Sequence, residues 1–366
     1  MRNKVYIVTT VHPWNDNRIY YKQVLTAVRS GVDICYIAPG ILCNDINKDV
    51  EYISIPETIK SRLGRSIHVL KNLFFLEKSV FHFHDPELII IGAILKLRGW
   101  KIIYDMHEDY FLSFNQRQGS RLLNYATAAA VRVMERIFTP LFNIVIAEKV
   151  YAQSFPISIE VLNYPITTFL ECTQDSLLDV SYSAIYTGTV SENRGALFFS
   201  RFLKCFPDYS LTVIGRCDRS LELKILESCS AYKDRLDLCV SKEGVDFGMI
   251  ENMYNSKSWD FGLALFPDTP HYRDKLLTKF YEYMKYDIPT LASDFPAWRD
   301  FFISNECGVL VEVDNIDKSL SNIATKYLAE DLIKLKSNCQ KSKLLYDWNS
   351  QYNNLRNLYD EIFDNN

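Results

Sequence analysis

Short apolar runs that alternate with stretches of three- to four-residue periodicity constrain this chain more than any other feature. In the first half the runs are 5–11, 34–38, 52–55, 80–84, 102–105, 144–147 and 160–162, with helical patterns over 18–29, 87–97 and 122–138. Residues 165–180 break the rhythm with Thr, Asp, Gln and Ser. The alternation then restarts with runs at 184–187, 211–214, 236–240, 261–265, 290–292 and 309–311, and helical patterns at 196–205, 220–229, 275–285 and 318–328. Apolar runs bounded by turns and separated by helices are βαβ units, which build parallel sheets. The reading is two Rossmann-like α/β domains, 1–165 and 181–345, joined by a linker at 166–180. A length of 366 residues suits two domains of ordinary size.

Charge and composition remove several function classes. With 41 Lys+Arg against 45 Asp+Glu the net charge is −4, so a nucleic-acid partner is not expected. The most apolar long stretch, 123–147, is broken by Arg132, Glu135 and Arg136, so nothing in the sequence reads as a membrane span. The opening MRNKVYIVTTVHP has too short an apolar part for a signal peptide and reads as a first strand. Nine cysteines without a C-x-x-C pair fit neither a zinc ribbon nor a disulfide framework, and suit a reducing cytoplasm. Only 13 Gly against 23 Tyr and 22 Phe argues against Gly-rich phosphate loops.

The two halves open alike. Residues 7–40 and 185–215 each run strand, polar loop, helix, strand, with Asn17-Arg18 in one loop and Asn193-Arg194 in the other. Ligands of open α/β sheets sit outside the carboxyl ends of the strands, so facing halves would bring both guanidinium groups beside one cleft. The alternative is that each arginine caps its own sheet.

Two further constellations carry polar chemistry. In Phe81-His82-Phe83-His84-Asp85-Pro86-Glu87, His82 and His84 share one face of a strand, with Asp85 at its end. The next strand ends in Tyr104-Asp105-Met106-His107-Glu108-Asp109. These residue types suit a hydrolytic metal site, or hydrogen-bonded structural histidines. In the second constellation, His271 to Met284, a helix is expected to begin near Lys275, and its unpaired N–H groups make an anion site. Lys275 and Lys279 add charge there, and Glu282 is placed to grip a ribose diol. The plain alternative is a solvated surface helix.

Together, D-N-R-I-Y-Y-K, H-F-H-D-P-E-L, I-I-Y-D-M-H-E-D, G-T-V-S-E-N-R-G, Y-R-D-K-L-L-T-K-F-Y-E-Y-M and P-T-L-A-S-D-F-P-A-W-R resemble the retaining glycosyltransferases of family 4, of the bacterial surface-polysaccharide type. The resemblance runs from Val5 to about Val311, and 346–366 resembles the family's C-terminal helix returning to the first domain. It implies a GT-B fold and transfer of a sugar, with retention, from a nucleotide-diphosphate sugar to a saccharide hydroxyl, the acceptor being linked to a polyprenyl diphosphate. No metal or other cofactor is implied. Arg194 matches the residue holding the donor diphosphate, beside Gly188. The backbone from Lys275 through Leu276 and Leu277 to Thr278, with Lys279, would cradle the phosphates. Glu282 matches the acid that binds the ribose. His107 matches a histidine beside the transferred sugar, and Asp16, Arg18, His84 and Asp85 fall on the acceptor side.

Two positions depart from the pattern. Asp274 stands where the family has a glutamate against the donor sugar, and Thr189 stands where it has an arginine. Arg194 then needs a second cation, and Lys275, Lys279 and Arg18 are the choices. A nucleotide-sugar epimerase of the same fold, and a metal hydrolase using His82, His84 and His107, are the alternative activities.

Residues 59–81 form the remaining feature. Ile59, Leu63, Ile67, Leu70 and Phe74 make one apolar stripe, and Lys60, Arg62, Arg65, Lys71 and Lys78 oppose only Glu77. A basic amphipathic helix of this kind lies on an anionic inner leaflet, or packs its stripe on the sheet with its charges in water.

Overall fold

The computed structural model describes residues 4–40, 46–106, 121–167, 180–326 and 329–364, without the side chains of Arg121 and His271. His107, Glu108 and Asp109 lie outside the described residues, as does most of the expected linker. The chain divides into two compact units: Met1–Asn163 with Trp348–Asn366, and Tyr164–Asp347.

The first unit is a parallel sheet of β1 (Lys4–Val8), β2 (Asp33–Pro39), β3 (Glu51–Ile55), β4 (Val80–Phe83), β5 (Lys101–Met106), β6 (Asn143–Ile146) and β7 (Ile159–Glu160), in the order β3-β2-β1-β4-β5-β6-β7. Parallel neighbours require crossovers. Here they include a π-helical turn Asn17–Val24 running into α1 (Leu25–Arg29), then α2 (Arg62–Leu73), α3 (Ile89–Leu97) and α4 (Arg121–Phe138). Helices on both faces bury β1 and β4 completely, which is why they read as apolar runs. Val69 and Leu73 of α2, Ile89 and Leu95 of α3, and Met134 and Phe138 of α4 share one core with Phe81, Phe83 and Tyr104.

The second unit holds β8 (Ser183–Thr187), β9 (Ser210–Arg216), β10 (Leu236–Ser241), β11 (Phe261–Ala264), β12 (Thr290–Ser293) and β13 (Gly308–Val311), in the order β10-β9-β8-β11-β12-β13, again all parallel. Its helices are α5 (Phe199–Cys205), α6 (Arg219–Ser228), α7 (Phe247–Asn255), α8 (Pro270–Arg273), α9 (Thr278–Lys285), α10 (Pro296–Asn305), α11 (Ile316–Lys326) and α12 (Ala329–Ser342). The helix expected to start near Lys275 starts at Thr278. Pro270 opens the short α8 instead, and Lys275–Leu277 carry no regular secondary structure between the two helices.

The last helix, α13 (Trp348–Asp364), completes the first unit. Trp348 is fully buried and donates to Thr26 Oγ1 (3.0 Å), Asn354 donates to the Glu160 carbonyl (2.8 Å), and the Tyr359 hydroxyl meets His82 Nδ1 at 2.8 Å.

Candidate functional site

In each sheet the strand order reverses once, between β1 and β4 and between β8 and β11, and such switch points open a crevice at the carboxyl ends of the strands. The sequence-predicted residues gather at these two places, and the two units use them differently.

In the first unit the polar residues mainly bind one another. Arg18 is buried, and its Nη2 donates to Asp105 Oδ1 (2.9 Å), Asp105 Oδ2 (3.1 Å) and the Val161 carbonyl (2.9 Å). Nη2 is therefore committed to Asp105 and the backbone, while Nε and Nη1 have no hydrogen-bond partner among the described residues. Gln23 donates to the same carboxylate, and His82 Nε2 and His84 Nδ1 stand 3.7 and 3.8 Å from it. Burial alone would push the Asp105 carboxyl up, but Arg18 and the two histidines overturn this and hold it well below the usual carboxylate range.

His82, His84 and Asp105 offer ligand atoms within 4.8 Å of one another. A metal there would share Asp105 with a guanidinium already 2.9 Å from it, and two cations at that carboxylate repel. The set fits the centre of a buried ion pair better than a metal site. Asp16 caps the helical turn by accepting from the N–H groups of Arg18 and Ile19, each at 2.9 Å. Asp85, also buried, accepts from Thr9 Oγ1 (2.8 Å) and the Thr10 N–H (2.7 Å). Both carboxylates brace the loop after β1.

The switch point of the second unit is built the other way: Arg194 and Lys279 form no ion pair with a described carboxylate, although lysines elsewhere in the unit do. The chain leaves β8 through Gly188, whose N–H donates to the Ile214 carbonyl (2.9 Å), and reaches Arg194 in a single 3₁₀ turn. Gly195 follows with φ of 79°, and a Cβ there would stand 1.6 Å from the Leu265 carbonyl oxygen. Only glycine lets this loop lie against the end of β11. Arg194 is half-buried, and its Nε donates to the Tyr272 hydroxyl (3.2 Å) on α8. Tyr272 packs edge-on against Phe266 at 4.8 Å, and Phe266 is pinned to Ser293 through both its N–H and its carbonyl.

α9 brings the second cation. It lies on the sheet because Gly262 has no side chain: a Cβ would meet the Tyr283 ring at 2.3 Å. The Tyr283 hydroxyl donates to the Leu263 carbonyl and accepts from the Thr187 N–H, both at 3.3 Å, clamping α9 across β8 and β11. Lys279 is thereby 7% exposed, with Nζ 3.6 Å from the Tyr186 ring centroid and 5.2 Å from that of Phe266. Among the described residues Nζ has no hydrogen-bond partner. Burial pushes its amine well below the ordinary lysine range; Arg194 pushes the same way and Glu282 opposes.

No side chain caps the start of α9 at Leu277, so its first N–H groups point out of the helix with the positive end of the dipole. Glu282 is half-buried on the same helix, three residues after Lys279. Asp274 and Thr278 are exposed, and Lys275, Leu276 and Leu277 are half-buried. The Lys275 carbonyl is held by Trp298 Nε1 at 2.6 Å. Tyr186 and Tyr272, the aromatic supports of the two cations, were not singled out from sequence. Tyr186 lies within an apolar strand run, and nothing local to that run shows that its ring lies under a lysine.

No protein-family model and no curated protein matches the chain. Solved structures do. A sucrose-phosphate synthase from Thermosynechococcus elongatus superposes with a TM-score of 0.70 at 13% identity, covering 100% of both chains. HepE from Anabaena, in complex with UDP and glucose, gives 0.69 at 10% identity over 98% of this chain and 100% of its own. WaaG, a glycosyltransferase involved in lipopolysaccharide biosynthesis, gives 0.61 at 10% identity over 93% and 95%. At these identities the likeness is one of fold, and it is the two-sheet α/β fold, GT-B, expected from the sequence.

Proposed function

We propose that the second unit binds the diphosphate of a nucleotide-sugar and that the chain is a retaining glycosyltransferase acting on a lipid-linked saccharide in surface-polysaccharide synthesis. The observation that carries this reading is Arg194 beside a buried Lys279 whose Nζ has no hydrogen-bond partner among the described residues, at the switch point between β8 and β11, next to an uncapped helix start. A half-buried guanidinium and a buried amine that form no ion pair with a described carboxylate suit an anion, and a diphosphate supplies one that meets side chains and backbone N–H groups together. Neighbours of the same fold bind UDP and glucose or serve lipopolysaccharide synthesis.

As the glycosidic bond breaks, negative charge grows on the leaving phosphate. Fixed cations and N–H dipoles aimed there stabilise the transition state more than the ground state. Glu282 accepts hydrogen bonds from the ribose hydroxyls and Asp274 from hydroxyls of the donor sugar. The first unit takes the acceptor, on the loop that Asp16 and Asp85 brace. Two cations and a helix start neutralise the diphosphate, so no metal is needed.

Calorimetry with UDP, GDP and ADP tests the donor site. One of the three is expected to bind, and Glu282→Gln, which keeps the shape and removes the charge that strengthens the ribose bonds, to weaken it roughly tenfold. Unchanged affinity removes Glu282 from the site. A donor consumed without any acceptor marks an epimerase.

The outer surface of the first unit supports the lipid-linked acceptor. On α2 the inward residues are Ser66, Val69 and Leu73, leaving Leu63 (71%) and Ile67 (45%) exposed, and Phe75 (86%) follows the helix. On α4, Leu122, Leu123, Val133 and Ile137 are exposed as well. Lys71, Lys78 and Arg136 are exposed against an exposed Glu77, whereas the one acid described within α4, Glu135, is buried against the Tyr104 hydroxyl. Such a surface suits an anionic leaflet, at about 1 kcal/mol per basic residue. Sedimentation with phosphatidylglycerol vesicles is expected at low salt, with release as salt screens the charges. No binding at low salt overturns it.

A further inference from the structure

Burying an ammonium with no hydrogen-bond partner costs far more than burying the neutral amine. At Lys279 Nζ burial, the largest effect, and the Arg194 guanidinium act against the charge, whereas the Tyr186 and Phe266 rings and Glu282 favour it. From β8 comes the Tyr186 ring, whose hydroxyl is engaged with the Thr189 carbonyl at 2.7 Å. From the loop after β8 comes the Arg194 guanidinium, a like charge. Phe266 comes from the end of β11, and Tyr272, from α8, binds Arg194. The acid acting on it is Glu282, from its own helix, and no hydrogen bond joins the two.

We propose that Lys279 stands as a neutral amine in the free chain and takes one proton from solvent when a diphosphate binds, becoming the second cation where Thr189 supplies none. The step is an amine plus a proton giving an ammonium; no bond of the diphosphate changes. It rests on the donor-site reading above. Of the three choices for the second cation, Arg18 is bound to Asp105, and Lys275 is half-buried on the irregular segment ahead of α9. Lys279 alone combines deep burial, a missing partner and a guanidinium nearby.

The consequence is proton-linked donor binding. In the range where the free amine is neutral and the bound one charged, affinity falls by up to about tenfold per pH unit as pH rises.

The test is calorimetry of the wild-type chain with UDP, GDP and ADP near pH 8, in Hepes and in Tris, whose ionisation enthalpies differ. The dependence of the heat on buffer counts the protons taken up. Wild type is expected to take up close to one proton more than Lys279→Met, and the variant to bind at least tenfold more weakly. Lys279→Arg, whose guanidinium stays charged, is expected to show the proton count of the Met variant. This second variant keeps the test open should Lys279→Met fail to fold. Equal proton counts in wild type and variants, with nucleotide binding intact, overturn the inference and leave the donor site standing. If none of the three nucleotides binds the wild type, the donor site itself falls, and the inference with it.

Discussion

Arg194→Ala is expected to lower turnover at saturating donor by about 10²–10³, or roughly 3–4 kcal/mol of transition-state stabilisation, the size seen when one preorganised contact to a developing oxyanion is removed. The fold should survive. Arg194 is half-buried and forms no ion pair with any described carboxylate; its contact is the Tyr272 hydroxyl at 3.2 Å. The loss should fall mainly on kcat, because the leaving phosphate gains its extra charge only as the bond breaks. The assay is transfer from the nucleotide-sugar that binds, with far-UV circular dichroism as the folding control. Near-normal turnover would remove Arg194 from the reaction.

The largest effect on stability is expected in the other unit. Asp105→Asn keeps the shape of the side chain but leaves Arg18 buried against a neutral amide, and breaking a buried pair from one side costs roughly 3–5 kcal/mol. Adding Arg18→Met should recover part of that loss, since no lone charge then remains. Guanidinium unfolding measures both, read on the transition of the first unit because a chain of two units need not unfold in one step.

The pH dependence has a definite sign. The native Asp105 carboxyl is held below its unfolded value, so its stabilisation is fully present above about pH 4 and is lost as pH falls toward the native value. The gap between wild type and Asp105→Asn should therefore narrow below about pH 4. A gap independent of pH down to about pH 2 would mean that the carboxylate charge is not what stabilises the unit.

The strands were legible because parallel strands covered on both faces spell themselves as continuous apolar runs. Each run read from the sequence overlaps a strand of the structure. Helices that lack a clean stripe were harder, and Phe247–Asn255, Pro296–Asn305 and Ala329–Ser342 escaped the periodicity reading. The start of α9 was placed about one turn early because local charge around Lys275 resembles a helix start, while Pro270 had already opened a separate short helix.

The site shows a deeper limit. Arg18 and Arg194 sit in matching Asn-Arg pairs after matching strands, yet one is buried on a carboxylate and the other is held by a phenol. The partners, Asp105 and Tyr272, lie 87 and 78 residues away in sequence, beyond any local pattern. Lys279 is similar: helical spacing shows a lysine on a face, but only the packing of α9 over Tyr186 removes it from water. Residue types at the switch points were readable. Which of them remain available to a ligand depends on long-range contacts.

The docking of α13 sets an order on how the molecule is made. Trp348 and Tyr359 seal the first unit by binding Thr26 and His82, which leave the ribosome 322 and 277 residues earlier. The usual course, in which the segment synthesised first folds first, is therefore blocked at its last step: the leading half must wait, unsealed, until the trailing half has emerged.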